Sequence, residues 1–163
     1  MFDEPSITTR DAQPYVAIVT AVTMEGFDVV EGLTDEVVTW IGARGAVPAG
    51  SPLVRIVTSD MSGELDIEVG VPVNDPPPGR RSLRHRINSP WIVRDAHLHR
   101  HDHLQANIEL QAWAASQGLA WEIDRSSGVE RWSGRFEVFR TDLSSEGKPV
   151  FELTYQISES AAP

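Results

Sequence analysis

A chain of 163 residues with 40% hydrophobic and 23% charged side chains has the makeup of one globular domain, long enough to bury a core. Its formal net charge of −10 argues against nonspecific binding to nucleic acid or to an anionic membrane surface. It has no cysteine, which excludes disulfides and thiolate metal sites, and no run nears the roughly 20 apolar residues of a membrane span. The opening MFDEPSITTR carries no secretory pattern, so a cytoplasmic protein is expected.

In chain order, residues 1–13 are polar without periodicity and read as a tail. PYVAIVTAV (14–22) is a strand. Val30, Leu33, Val37 and Ile41 then recur at helical spacing, flanked by Trp40, until Gly45 ends the helix. VRIVTSD (54–60) and ELDIEVGVPV (64–73) make a hairpin. Within it Leu65, Ile67, Val69, Val71 and Val73 share one face, and Glu64, Asp66, Glu68, Gly70 and Pro72 share the other. NDPPPGRRSLRHRINS (74–89) is a linker whose proline run cannot occupy a central strand, and its middle is a candidate edge strand. Its arginines Arg80, Arg81, Arg84 and Arg86 read as a solvated offset to local acidity.

The second half opens with PWIVRDAHL (90–98). A helix follows with Asp102 as N-cap, Leu104, Ile108, Leu110, Trp113 and Ala114 as its apolar side, and Gly118 at its end. FEVFRTD (136–142) and PVFELTYQIS (149–158) close the chain as a second hairpin. Phe151, Leu153, Tyr155 and Ile157 share the face meant for the helices, opposite Glu152. Phe139 and Glu137 alternate with Phe136 and Val138 and are assigned to the face away from the helices, where an aromatic ring needs cover.

The halves match element by element. Trp40 answers Trp113, VRIVTSD answers FEVFRTD with Val54 against Phe136, and Glu68 falls beside Glu152. The expected fold is α+β: a tandem strand–helix–strand–strand repeat, antiparallel sheet, two long helices on one face and a central groove. Repeat one is 14–73, the linker 74–89 and repeat two 90–158, within a single domain of 14–158 after the 1–13 tail. Trp40 and Trp113 are expected to pack helix against sheet.

PYVAIVTAVTM, ELDIEVGVPV, LQAWAASQGL followed by WE, and FELTYQIS, in that order from about Pro14 to Ile157, resemble the GyrI-like small-molecule-binding domain. The resemblance implies a groove between the repeats that takes up bulky, flat, often cationic organic molecules. It places the ligand-facing carboxylate of the final strand at Glu152, with Trp132, Phe139 and Trp91 as candidate aromatic walls. Tyr155 and Glu68 complete the ligand-binding set. Two departures stand out: Phe139 occupies a place where relatives often carry tyrosine, and the second helix is entered through HRHDHL. The 13 residues before Pro14 cannot supply a helix-turn-helix, so a free-standing module is expected.

A glutamate in a water-poor aromatic groove is costly to keep ionised, by several kcal/mol, unless a cation neutralises it. An organic cation would relieve that cost and gain about 0.5–2 kcal/mol per aromatic face. The same desolvation would raise the pKa of Glu152 toward neutrality and fit it for proton transfer. Three functions stay open: binding of hydrophobic or cationic small molecules, or, as the resemblance allows, hydrolysis of reactive, cyclopropane-bearing xenobiotics with Glu152 as catalytic group, or contact with a protein such as a gyrase. His97, His99, His101 and His103, with Asp95 and Asp102 between them, approach the H-x-H-x-D-H metal pattern without meeting it. That run reads as a polar strand-to-helix junction, and neither a metal nor a cofactor is expected.

Overall fold

Two alternating runs of valine, isoleucine and leucine set the centre of the sheet. β2 (Tyr15–Thr23) and β4 (Glu64–Pro72) pair along nine residues, from Tyr15↔Pro72 to Thr23↔Glu64. β3 (Leu53–Ser59) joins the other side of β4 through a short turn in which Gly63 takes φ of 86°. The same arrangement recurs with β6 (Val93–Arg100), β10 (Lys148–Gln156) and β9 (Arg135–Ser145). In the computed structural model, which describes residues 4–60, 62–77, 85–88, 93–100, 102–145 and 148–158, these two sets meet at the antiparallel β3·β9 pair.

β1 (Ser6–Arg10) and β5 (His85–Asn88) are the edges, so the order is β1-β6-β10-β9-β3-β4-β2-β5. A small hairpin of β7 (Ile123–Asp124) and β8 (Glu130–Trp132) attaches to β3. The expected tail is therefore corrected: residues 6–10 are a strand on β6, although SITTR shows no apolar alternation. Within the linker, residues 85–88 pair with β2 at the other edge.

Both helices lie on one face. α1 (Val29–Gly42) buries Val30, Val37 and Ile41; the last two pack on Val16, Ile18, Val71 and Val73. α2 (His103–Ser116) starts at Asp102, whose carboxylate accepts from the Gln105 amide at 2.8 Å, and buries Ala106, Asn107, Leu110 and Ala114. Gly45 and Gly118, with φ of 71° and 67°, supply the left-handed turns after the two helices. Trp40 and Trp113 are partly buried against the two apolar clusters under the helices.

One part of the expected apolar side of α2 is corrected: Leu104 and Ile108 are 66% and 55% exposed. The helix rests on small side chains, Ala106 and Ala114, with Leu110. That stripe leaves positions 104 and 108 rotated away from the core.

The opposite face is also covered near its middle, where Tyr15, Ala17 and Leu53 are buried with Phe136 and Val138 against them. Gly70 permits this: a Cβ there would lie 2.8 Å from Tyr15 Cδ2 and 3.2 Å from the Val16 carbonyl oxygen. No helix among the described residues is long and apolar enough to cross a membrane.

Candidate functional site

α1 packs over β4 and β2, and α2 over β6 and β10, so the β3·β9 pair lies beneath the gap between the helices. Register decides what the gap exposes. Val54 stands opposite Glu137, Leu53 opposite Val138 and Arg55 opposite Phe136. Leu153, on the helix-side face with Tyr155 and Ile157, pairs with Glu137, and Phe151 pairs with Phe139. Strand alternation then puts Glu137 and Phe139 on the helix side and Phe136 and Val138 on the far side. The assignment of Phe139 and Glu137 to the face away from the helices is corrected accordingly.

Glu137 is 2% exposed, at the floor of this gap. Its Oε2 lies 2.8 Å from His103 Nε2 at the start of α2, while its Oε1 has no hydrogen-bond partner among the described residues. The hydrogen bond to Glu137 raises the His103 pKa; burial and the Arg135 charge oppose this, and Glu137 and Asp102 charges add to it. A cavity of about 270 Å³ above the carboxylate is lined by Met24, Phe27, His103, Glu137, Phe139 and Phe151. Phe27 and Phe139 also line a neighbouring cavity of about 390 Å³ whose α1 side carries Asp28, Glu31 and Asp35. Phe151 meets both the His103 and Phe139 rings edge-on, with centroids 5.6 Å away in each case.

Behind Glu137 is a packed aromatic block. Tyr155 is fully buried between Trp132 and Trp121, at 5.4 and 5.1 Å, and its hydroxyl bonds Asn107 Oδ1 of α2. Burial pushes the Tyr155 phenol up to about 12. Arg135 lies over the Trp132 and Tyr155 rings, at 4.6 and 4.9 Å. Trp132 is 5% exposed and reaches Ser59 Oγ through its indole N–H at 3.3 Å. The structure thus brings Phe139 to the cavity and places Trp132 and Tyr155 in the core beside it. Trp91 lies outside the described residues.

Glu152 and Glu68 are on the other face. Glu152 is 4% exposed and meets Arg10 at 2.5 Å, Arg140 at 2.7 Å and His99 at 3.1 Å. Burial alone would raise its pKa; the Arg10 charge, hydrogen bonds from Arg140 and Arg10, and the His99 charge overcome that and take it down to about 2. The expected uncompensated, proton-transferring Glu152 is corrected on this ground: its two neighbouring strands and β1 supply the cations. Glu68 is likewise engaged, accepting from the Tyr15 hydroxyl at 2.5 Å and lying 3.5 Å from Arg55.

The histidine run is split between these environments, since His99 serves Glu152 and His103 serves Glu137. His97 and His101 have no described side chains. Among the described residues no group of three or more acidic or imidazole side chains is placed to hold a metal. The sequence repeat, which sets Val54 against Phe136, gives no signal for Glu137. Strand pairing, with Arg55↔Glu68 and Val138↔Glu152, instead makes Val54 the counterpart of Glu137. A one-residue slip reverses every face assignment.

No family model and no curated protein matches the chain. Solved structures do. The EcmrR C-terminal domain superposes with a TM-score of 0.73 at 11% identity, covering 95% of this chain and 97% of that one. EcmrR in an EcmrR–DNA complex gives 0.74 at 11% identity over 96% of this chain, which spans 57% of that longer chain. SAV2435 bound to tetraphenylphosphonium gives 0.58 at 10% identity, covering 97% and 96%. A hydrolase from Listeria innocua gives 0.56 at 8% identity, covering 95% and 92%. The chain shares the fold of these structures, the GyrI-like fold.

Proposed function

We propose that the protein binds hydrophobic aromatic cations in the gap between α1 and α2, with Glu137 as the counter-charge. The observation that carries this reading is a carboxylate 2% exposed whose Oε1 is unpartnered among the described residues and which lines a ring-walled cavity. Leaving an ionised carboxylate oxygen without a donor in such a place costs several kcal/mol. A cation seated over Oε1 removes that cost while its rings meet Phe27, Phe139 and Phe151.

Asp28, Glu31 and Asp35 at the outer cavity add a favourable potential for an approaching cation. The two cavities share a wall and together suit a molecule larger than a single ring. SAV2435, a structure of the same fold, holds tetraphenylphosphonium, itself an aromatic cation. Titration with that compound tests the reading, with saturable binding in the parent and at least a tenfold loss in Glu137→Gln expected. Equal affinity in both would remove the carboxylate from the account.

A second reading keeps the cavity and adds chemistry. The His103–Glu137 contact at 2.8 Å can hold a proton taken from a water molecule as that water adds to an electrophilic ligand. It predicts product with turnover, read by mass spectrometry; a binder gives saturation and unchanged ligand. The hydrolytic role first assigned to Glu152 moves to this pair, because a carboxyl held near pKa 2 is a poor proton carrier at neutral pH.

A further inference from the structure

Resting on that reading of the groove, we propose that His103 sets its charge selectivity: a neutral imidazole admits an organic cation, and an imidazolium admits only uncharged aromatics. His103 takes one oxygen of Glu137 and leaves the other facing the cavity. Its Nε2–H can donate to Oε2 in both the neutral and the protonated form. The carboxylate is therefore held in the same place in both states, and they differ only by the proton on Nδ1. His103 is 32% exposed, so that proton can pass to water.

With His103 protonated, Glu137 is already neutralised and an entering cation makes a second positive charge on one carboxylate. With His103 neutral, the single negative charge belongs to the ligand. Arg135 of β9 opposes the His103 proton and bonds Asn107 at 3.5 Å, and Asp102 at the helix start supports it. From the facing elements, Met24, Phe27, Phe139 and Phe151 carry no charge. Across the gap, the α1 acids Asp28, Glu31 and Asp35 border the outer cavity. Since Glu137 raises the His103 pKa, the protonated form extends toward neutral pH.

Linkage sets the size of the effect. Where His103 is protonated in the free protein, cation affinity falls about tenfold for each pH unit of acidification; where it is neutral, affinity is flat. The test measures tetraphenylphosphonium and uncharged triphenylphosphine oxide between pH 5.5 and 9, on the parent and on His103→Gln, which retains an N–H donor for Glu137. The parent should bind the cation progressively more tightly as pH rises and bind the oxide without that rise. His103→Gln should bind the cation with a flat profile.

A flat cation profile in the parent overturns the proposal, as does a slope that persists in His103→Gln. Binding of neither compound at any pH overturns the reading of the groove together with this one. Binding of the cation with no pH dependence overturns the selectivity alone.

Discussion

On the face away from the helices, Glu152 and Glu68 are buried carboxylates met by arginines, whereas on the helix-bearing face Glu137 is met by one histidine through one oxygen. All three are less than 7% exposed, so burial does not distinguish them. Compensation does. Glu152 ties β1, β9 and β10 together through Arg10 and Arg140, and Glu68 ties β4 to β2 and β3 through Tyr15 and Arg55. Those acids hold the sheet. Glu137, under the gap between the helices, keeps acceptor capacity at Oε1, which has no hydrogen-bond partner among the described residues.

The largest effect expected from this contrast is on stability at Glu152. Its carboxyl moves from an ordinary 4.5 to about 2 on folding, worth about 3 kcal/mol. That stability is fully present above pH 4.5 and is lost as pH falls through the window from about 4.5 to 2, where the folded protein still resists protonation. Glu152→Ala should cost about 3 kcal/mol in urea unfolding at pH 7, through loss of the carboxylate that Arg10, Arg140 and His99 meet, and should flatten the acid limb between those values. A variant as stable as the parent would break the contrast between the faces.

Next comes Glu137→Gln. It should reduce tetraphenylphosphonium affinity at least tenfold, about 1.4 kcal/mol, while shifting the unfolding free energy by less than Glu152→Ala does. A large stability loss at Glu137 with unchanged affinity would show both faces to be structural. Tyr15→Phe removes one hydroxyl bond from Glu68 and leaves Arg55 in place, so about 1 kcal/mol is expected from denaturant titration, with ligand affinity unaltered. The smallest change is Leu104→Ser with Ile108→Ser, on the exposed side of α2. Each should alter stability by less than about 0.5 kcal/mol by thermal unfolding.

Much of this architecture was legible in the residues. Alternation in ELDIEVGVPV and PVFELTYQIS gave the hairpins and the helix-facing side of β4 and β10. Val30, Val37 and Ile41 gave α1, and Asp102, Gly45 and Gly118 gave the punctuation. What failed depended on contacts distant in sequence. SITTR became a strand on β6 with Arg10 engaged by Glu152, more than a hundred residues away. The expected apolar side of α2 fails at Leu104 and Ile108, since alanines and Leu110 carry that helix's packing.

The site was lost to one residue of register. In β9 the side chains Phe136 and Val138 look like the buried set, and Glu137 looks like a solvated neighbour. Position in the sheet reverses this, because β9 runs beneath the space that neither helix fills, so its helix-side residues line a cavity. Apolar content then no longer identifies the inner face. Only the pairing of Glu137 with Leu153 and with Val54 does.

The central claim is that Glu137, and neither acid of the opposite face, provides the charge for ligand binding. Calorimetric titration of tetraphenylphosphonium into the parent, Glu137→Gln and Glu152→Gln, each shown folded by circular dichroism, tests it most directly. The account predicts binding by the parent and by Glu152→Gln within a factor of about three, and a loss of at least tenfold in Glu137→Gln. Retained affinity in Glu137→Gln together with loss in Glu152→Gln would contradict it.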